Sequence, residues 1–181
     1  TIGGGGDPSY AEGFNRVTGD FGTIAGGQRN EAGTSAFAGG GFGAEASGYR
    51  SVVVGGAGNR ALQEGAAVVG GVNNTASGEE SFVGGGSGNQ AASSYASVVA
   101  GNNNSIGGNA AASAIVAGDG NTIADGSDRS FIGGGQDNAI RDTYGLSLIG
   151  GGINNVINPN ADESVIVGGD SQTIQSNAYL S

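Results

Sequence analysis

A Gly placed three positions before an Asn, returning about every 14 to 17 residues along nearly the whole chain, limits most strongly what this sequence can fold into. With the Asn as anchor, the units are those of Asn30, Asn59, Asn74, Asn89, Asn104, Asn121, Asn138 and Asn155, with Ala44 and Gln172 in the same place in two more. The corner residue is Gly27, Gly41, Gly56, Gly71, Gly86, Gly101, Gly118, Gly135, Gly152 and Gly169, so it is glycine in all ten units. Self-similarity at a short fixed period marks a repeat architecture, in which each unit is one layer and neighbouring layers bury each other's apolar side chains. The period is shorter up to Asn104 and longer from Asn121 onward. Asn15 marks an eleventh, irregular unit, lengthened by an insertion around Asp7-Pro8-Ser9-Tyr10. The chain therefore reads as a single array over 1–181: an irregular first coil over 1–21, units of about 15 residues over 22–112 and units of about 17 residues over 113–181.

Two apolar columns run in step with the anchors. Six positions before each anchor stand Ile24, Ala38, Val53, Val68, Val83, Val98, Ile115, Ile132, Ile149 and Ile166. Two positions after it stand Ala32, Ala46, Ala61, Ala76 and Ala91, then Ile106, Ile123, Ile140, Ile157 and Ile174. Alanine gives way to isoleucine where the repeat lengthens, so the interior is expected to widen toward the C-terminus. The residue between the anchor and the second column is usually polar, as in Glu31, Arg60, Thr75, Gln90, Ser105, Thr122 and Thr173. That alternation has the period of a strand, and it turns the anchor Asn inward. An inward Asn at the same height in successive coils either forms an amide ladder along the stack or caps the backbone of the Gly corner. The corner itself calls for positive φ and close backbone approach, both of which glycine supplies. The expected fold is all-β: a parallel β-solenoid, or β-roll, of about eleven coils, each of about 14–17 residues.

The first strand of each coil does not alternate. In Val52-Val53-Val54, Ala67-Val68-Val69 and Val165-Ile166-Val167, three apolar residues stand in a row, so both faces of the strand call for burial. A coil this short has no second sheet to cover the outer face, which leaves a further copy of the chain to do so. Closure about a three-fold axis suits the small side chains, and the expected assembly is a homotrimeric fibre. The remaining stretch of each unit holds much of the charge, at Glu64, Glu79, Glu80, Asp125, Asp128, Asp142, Asp162 and Glu163, and reads as an exposed loop side. Tyr49, Tyr95, Tyr144 and Tyr179 fall there too; such rings either stack on the sugars of a receptor or pack against a neighbouring subunit.

Composition narrows the chemistry. The chain has 16 acidic residues against 6 basic ones, for a net charge of −10, and contains no Cys, His, Met or Trp. Most general bases, nucleophiles and soft metal ligands are missing, so an enzyme is not expected, and neither is a cofactor or an assigned metal. A polyanion such as DNA or an anionic membrane would be repelled, which argues against nucleic acid as a partner. No apolar run approaches the ~20 residues needed to cross a bilayer, so this segment is not expected to insert into a membrane. The opening string Thr1-Ile2-Gly3-Gly4 already looks like part of a repeat, as a piece of a longer polypeptide would.

Ser51-Val52-Val53-Val54-Gly55 followed by Asn59-Arg60-Ala61, and Ala66-Ala67-Val68-Val69-Gly70 followed by Asn74-Thr75-Ala76, resemble the head units of the trimeric autotransporter adhesins (YadA-like), which read Ser-x-Ala-Ile-Gly-x-x-Ser-x-Ala. The resemblance covers nearly the full length, with one extra residue at the corner and with longer C-terminal units. It implies a left-handed parallel β-roll that trimerises and binds a host surface, receptor or glycan, at the cell exterior. Similar Gly-Gly-x-x-Asn arrays occur in phage tail fibres, so a virion surface is the alternative location and a tail-fibre or spike segment the alternative function.

Three other sites fit poorly. Gly41-Phe42-Gly43-Ala44-Glu45-Ala46 has dinucleotide-loop spacing, but it is a repeat corner with no helix after it. Asp119, Asp125, Asp128, Asp137 and Asp142 keep no nine-residue register of the kind a Ca²⁺-binding roll needs, which leaves a surface Ca²⁺ open without assigning ligands. Glu79-Glu80 and Asp162-Glu163 are the carboxylate pairs that a polysaccharide depolymerase would draw on, and adjacent acids more often mark solvated loops.

Overall fold

The computed structural model of the chain describes residues 1–5 and 13–178. It is all-β and parallel, with 21 two-residue strands numbered β1 to β21 in chain order. Odd-numbered strands, from β1 (Arg16–Val17) to β21 (Thr173–Ile174), stack into an 11-stranded sheet, and even-numbered ones, from β2 (Thr23–Ile24) to β20 (Val165–Ile166), into a 10-stranded sheet. Each coil thus contributes one strand to each sheet. The register pairs Val53↔Val68↔Val83↔Val98 through the shorter coils and Ile115↔Ile132↔Ile149↔Ile166 through the longer ones, so equivalent positions stay directly above one another although the repeat changes length. At about 4.8 Å per parallel layer, ten steps make a stack ~48 Å long.

One coil shows how the sequence turns. Strand β8 (Ala67–Val68) runs into the corner at Gly70 and Gly71, where φ of Gly71 is +87°. Val72 then bridges to the coils on either side, and Asn73 makes a second left-handed bend at φ +55° before the anchor Asn74 and strand β9 (Thr75–Ala76). The bridge position repeats in every coil from Gln28 through Val72 to Asp170, so a third, single-residue ladder lies between the two sheets. All ten corner glycines have φ between +83° and +127°. A Cβ on Gly71 would overlap the carbonyl oxygen of Gly86 in the next coil, so two backbones touch there with no space for a side chain.

The interior is built from three columns. The Ile/Val column of the even strands and the Ala/Ile column of the odd strands are buried, apart from partly buried Ile174. A third column, eight positions before each anchor, holds small side chains: Ala36, Ser51, Ala66, Ser81, Ala96, Ser113, Ser130, Ser147 and Ser164. Here the hydroxyls satisfy turn backbone, as where Ser51 Oγ donates to Gly48 O (2.7 Å) and Ser81 Oγ to Gly78 O (2.6 Å). The longer coils add Ala110, Ser127 and Ala161 to the interior from their extended turns.

The irregular first unit keeps the same corner. Gly5, at φ +85°, sits against Gly27, while Asn15 Nδ2 donates to Gly4 O (3.0 Å) and Gly27 O (2.9 Å) as a regular anchor does. Corner and anchor are Gly5 and Asn15 in this unit but Gly27 and Asn30 in the next, so an insertion separates them here. The insertion at Asp7-Pro8-Ser9-Tyr10 itself lies outside the described residues.

Candidate interaction surface

The anchor asparagines form a hydrogen-bonded spine inside the stack. Asn59 Nδ2 donates to Gly55 O (2.7 Å) in its own corner and to Gly71 O (2.9 Å) in the next, while its Oδ1 accepts the backbone N–H of Asn74 (3.0 Å). The longer coils add direct amide contacts: Asn121 to Asn104 (3.1 Å), Asn138 to Asn121 (3.0 Å) and Asn155 to Asn138 (3.0 Å), each Nδ2 to Oδ1. Ladder and corner cap are thus made by the same side chains, and all eight are buried. The spine has a gap at Ala44, which receives a bond from below, its N–H to Asn30 Oδ1 (2.8 Å), but has no side chain to pass upward. Gln172 is exposed, and its Nε2 donates to Asp170 O (3.0 Å) within its own corner. Buried amides saturated by backbone have no free valence for a ligand.

The outer face of the even sheet is different in kind. The five residues from the one before each apolar column to the Gly corner, as in Ala67-Val68-Val69-Gly70-Gly71, contain no charged residue in any of the ten coils. All 16 acidic and 6 basic residues of the chain lie elsewhere. The second residue of each five points inward, while its neighbours form the face: Val54, Val69, Val99, Val116, Val165 and Val167 are all exposed, Val69 at 46%. The face is also levelled by a compensation of sizes. Where the first neighbour is phenylalanine, at Phe37, Phe82 and Phe131, the second is Gly39, Gly84 or Gly133. Each ring reaches over its glycine: Cε1 of Phe37 lies 3.1 Å from where a Cβ on Gly39 would stand, Phe82 repeats this over Gly84 at 3.3 Å, and Phe131 over Gly133 at 3.5 Å. The rings recur every third coil, about 14 Å apart at ~4.8 Å per layer. Phe-x-Gly-Gly-Gly occurs three times in the sequence and carries this signal, at a period of three coils that no single coil displays.

The other sequence-derived sites lie on the turn side and do not converge. Tyr49, Tyr95 and Tyr144 are exposed, but the bonds Gly65 N to Tyr49 O (2.9 Å) and Tyr95 N to Glu79 O (2.8 Å) set them in different positions of their turns. They are separated by three coils each and form isolated rings rather than a stripe. The Arg50 guanidinium stands over the Tyr49 ring at 4.6 Å and reaches Glu64 at 3.9 Å. Tyr179 lies outside the described residues. Two of the loop acids correct the expectation of a solvated turn: Asp142 and Asp162 are buried. Asp162 is drawn in because its Oδ1 accepts the backbone N–H groups of Thr143 (3.0 Å) and Tyr144 (2.9 Å). On the odd sheet the outward charges pair along the stack, Arg16 with Glu31 (2.6 Å) and Arg60 with Glu45 (2.8 Å). The Glu31 carboxylate holds the Arg16 guanidinium more firmly in its charged form. Among the described residues no group of three or more His, Cys, Asp or Glu side chains is placed to hold a metal ion, and no helix is long and apolar enough to cross a membrane.

No family model matches the chain, and no curated protein matches it in sequence.

Proposed function

We propose that the chain is a non-enzymatic structural module, a rigid stretch of a homotrimeric extracellular fibre that serves as spacer and as adhesive surface toward a host receptor or glycan. The observation that carries this reading is the uncharged, level face along ten coils of a chain whose net charge is −10. Two copies approaching through their acidic turns repel each other, whereas two copies approaching through this face meet no like charge and remove valine and phenylalanine surface from water. Spanning three strand positions at ~3.3 Å each, the face is about 10 Å wide and ~48 Å long, on the order of 500 Å². The strip alone falls below the ~800 Å² per partner of a standard interface, so in a ring of three, where each copy divides it between two neighbours, residues flanking the strip add to the contact. Gly70, Gly85, Ala100 and Ala117 along the edge of the strip leave room for backbones to converge at an axis.

The cell surface or the surface of a virion is the location that such a fibre implies, and a phage tail-fibre or spike segment would use the same physics. Val69→Glu and Val99→Glu place a carboxylate on an already exposed position, so the coil folds as before while association is opposed. The expected result is an unchanged β-sheet circular dichroism spectrum with a fall in solution mass to that of a single chain. Retained mass in both variants would overturn the reading.

A further inference from the structure

We propose that Asp142 is an acid latch: its carboxyl group is held neutral inside the turn over 141–147, and its ionisation loosens that turn. The turn contains a misfit. Six positions after the anchor, the long turns place a small side chain inward, at Ala110, Ser127 and Ala161. In the turn after Asn138 the corresponding residue is Tyr144, too large for the slot and 73% exposed. Asp142 goes inside instead, with 1% of its surface exposed.

Among the described residues neither Asp142 carboxyl oxygen has a partner at hydrogen-bond geometry, and Asp162 Oδ2 from the next coil is likewise buried without one. The nearest donors are the Ser147 and Ser127 hydroxyls, and that of Ser127 is given to the backbone oxygen of Asp142 (3.0 Å). The turn's own N–H donors, those of Thr143 and Tyr144, are both given to Asp162 Oδ1. Asp162 therefore has two backbone donors that stabilise a charge, and Asp142 has no backbone donor, only the two hydroxyls nearby. The charged groups acting on Asp142 are Asp162 from the turn above and Asp128 from the turn below, both acidic. Arg129 and Arg141, exposed on the same turns, make no ion pair with it among the described residues. Burial first, then repulsion from these two aspartates, pushes the Asp142 carboxyl above the usual carboxylate range, while the nearby hydroxyls of Ser147 and Ser127 offset part of the effect. Two carboxylates without a third acidic or histidine ligand favour a proton over a metal ion as the group that fills the site.

Because the folded state holds the proton more tightly than the unfolded chain, the turn is most stable in acid and loses stability as the pH rises through the folded-state titration of Asp142. Amide hydrogen exchange of residues 141–147, corrected for intrinsic rates and compared at roughly pH 3, below the ordinary aspartate range, and at roughly pH 8, reads this directly. Protection of the turn is expected to fall with rising pH in the native chain and to stay level in Asp142→Asn, whose amide mimics the neutral acid. A ¹³C-carboxyl NMR titration of the native chain is the second measurement, independent of whether that variant folds, and Asp142 is expected to titrate above the ordinary aspartate range. Equal pH dependence in the two proteins, an ordinary Asp142 titration, or Ca²⁺ slowing exchange in the native chain but not in the variant would each overturn the proposal.

Discussion

Ala44 is the one interruption within the asparagine spine, and Ala44→Asn should repair it with a gain in stability. The site is already shaped for the side chain. At a regular corner such as Gly71, a Cβ built on the glycine would lie 2.6 Å from the anchor's Nδ2, and at Gly41 no side-chain nitrogen occupies that space. The acceptors are in place as well: by analogy with Asn59, the new Nδ2 would donate to Gly40 O and Gly56 O, and its Oδ1 would accept the backbone N–H of Asn59. Three hydrogen bonds at a net ~1 kcal/mol each come to ~3 kcal/mol. Freezing the new side chain costs about 1–2 kcal/mol, which leaves a gain of about 1–2 kcal/mol. The assay is hydrogen exchange at the Asn59 amide, which should slow about 5- to 30-fold with neighbouring coils unaffected, together with a thermal midpoint raised by roughly 2–8 °C. Faster exchange at Asn59, or a lower midpoint, would refute the claim that the asparagines act as interchangeable rungs.

Gly71→Ala should be severe, because the added methyl overlaps Gly86 O and the residue must keep φ +87°; a loss of about 2–6 kcal/mol in chemical denaturation is expected. Ile123→Ala empties a fully buried position in a wide coil and should cost ~2–5 kcal/mol, whereas the converse Ala76→Ile overfills a narrow one and should cost ~1–3 kcal/mol by the same measurement. Removing the exposed Arg60–Glu45 pair by Arg60→Gln should change stability by less than ~1 kcal/mol, and the difference should vanish in high salt.

The columns that were legible in the sequence are those whose residue type is dictated by one strong constraint. The corner shows itself as glycine because backbone contact with the next coil excludes any side chain, and the inward Ile/Val and Ala/Ile positions show themselves because nothing polar survives there unpaired. Each coil has two further left-handed bends, and these illustrate how legibility fades. The bend just before the anchor is Arg29, Gly43, Gly58, Asn73, Gly88, Asn103, Gly120, Asp137, Asn154 and Ser171, where Gly, Asn and Asp form a signal that was available but diluted by Arg and Ser. The bend in the turn, nine positions before the anchor, is held by residues as different as Phe21, Glu80, Tyr95, Leu146 and Glu163. No composition rule finds it, since the hydrogen bonds of the stack fix the conformation and leave the side chain free to vary. Asp142 is hidden for another reason: its burial depends on Tyr144 being unable to fill a slot that only the stacked turns define. On the candidate surface, the unalternating valines were visible, while the Phe-over-Gly compensation required seeing two residues on one strand as a single unit of height.

If copies of the same chain cover the uncharged face, the mass in solution by light scattering reads it without further inference. A closed trimer of 17.3 kDa chains is predicted, about 52 kDa and independent of concentration over the working range. A well-folded chain that stays at 17.3 kDa, with those valines and phenylalanines open to water, would contradict it.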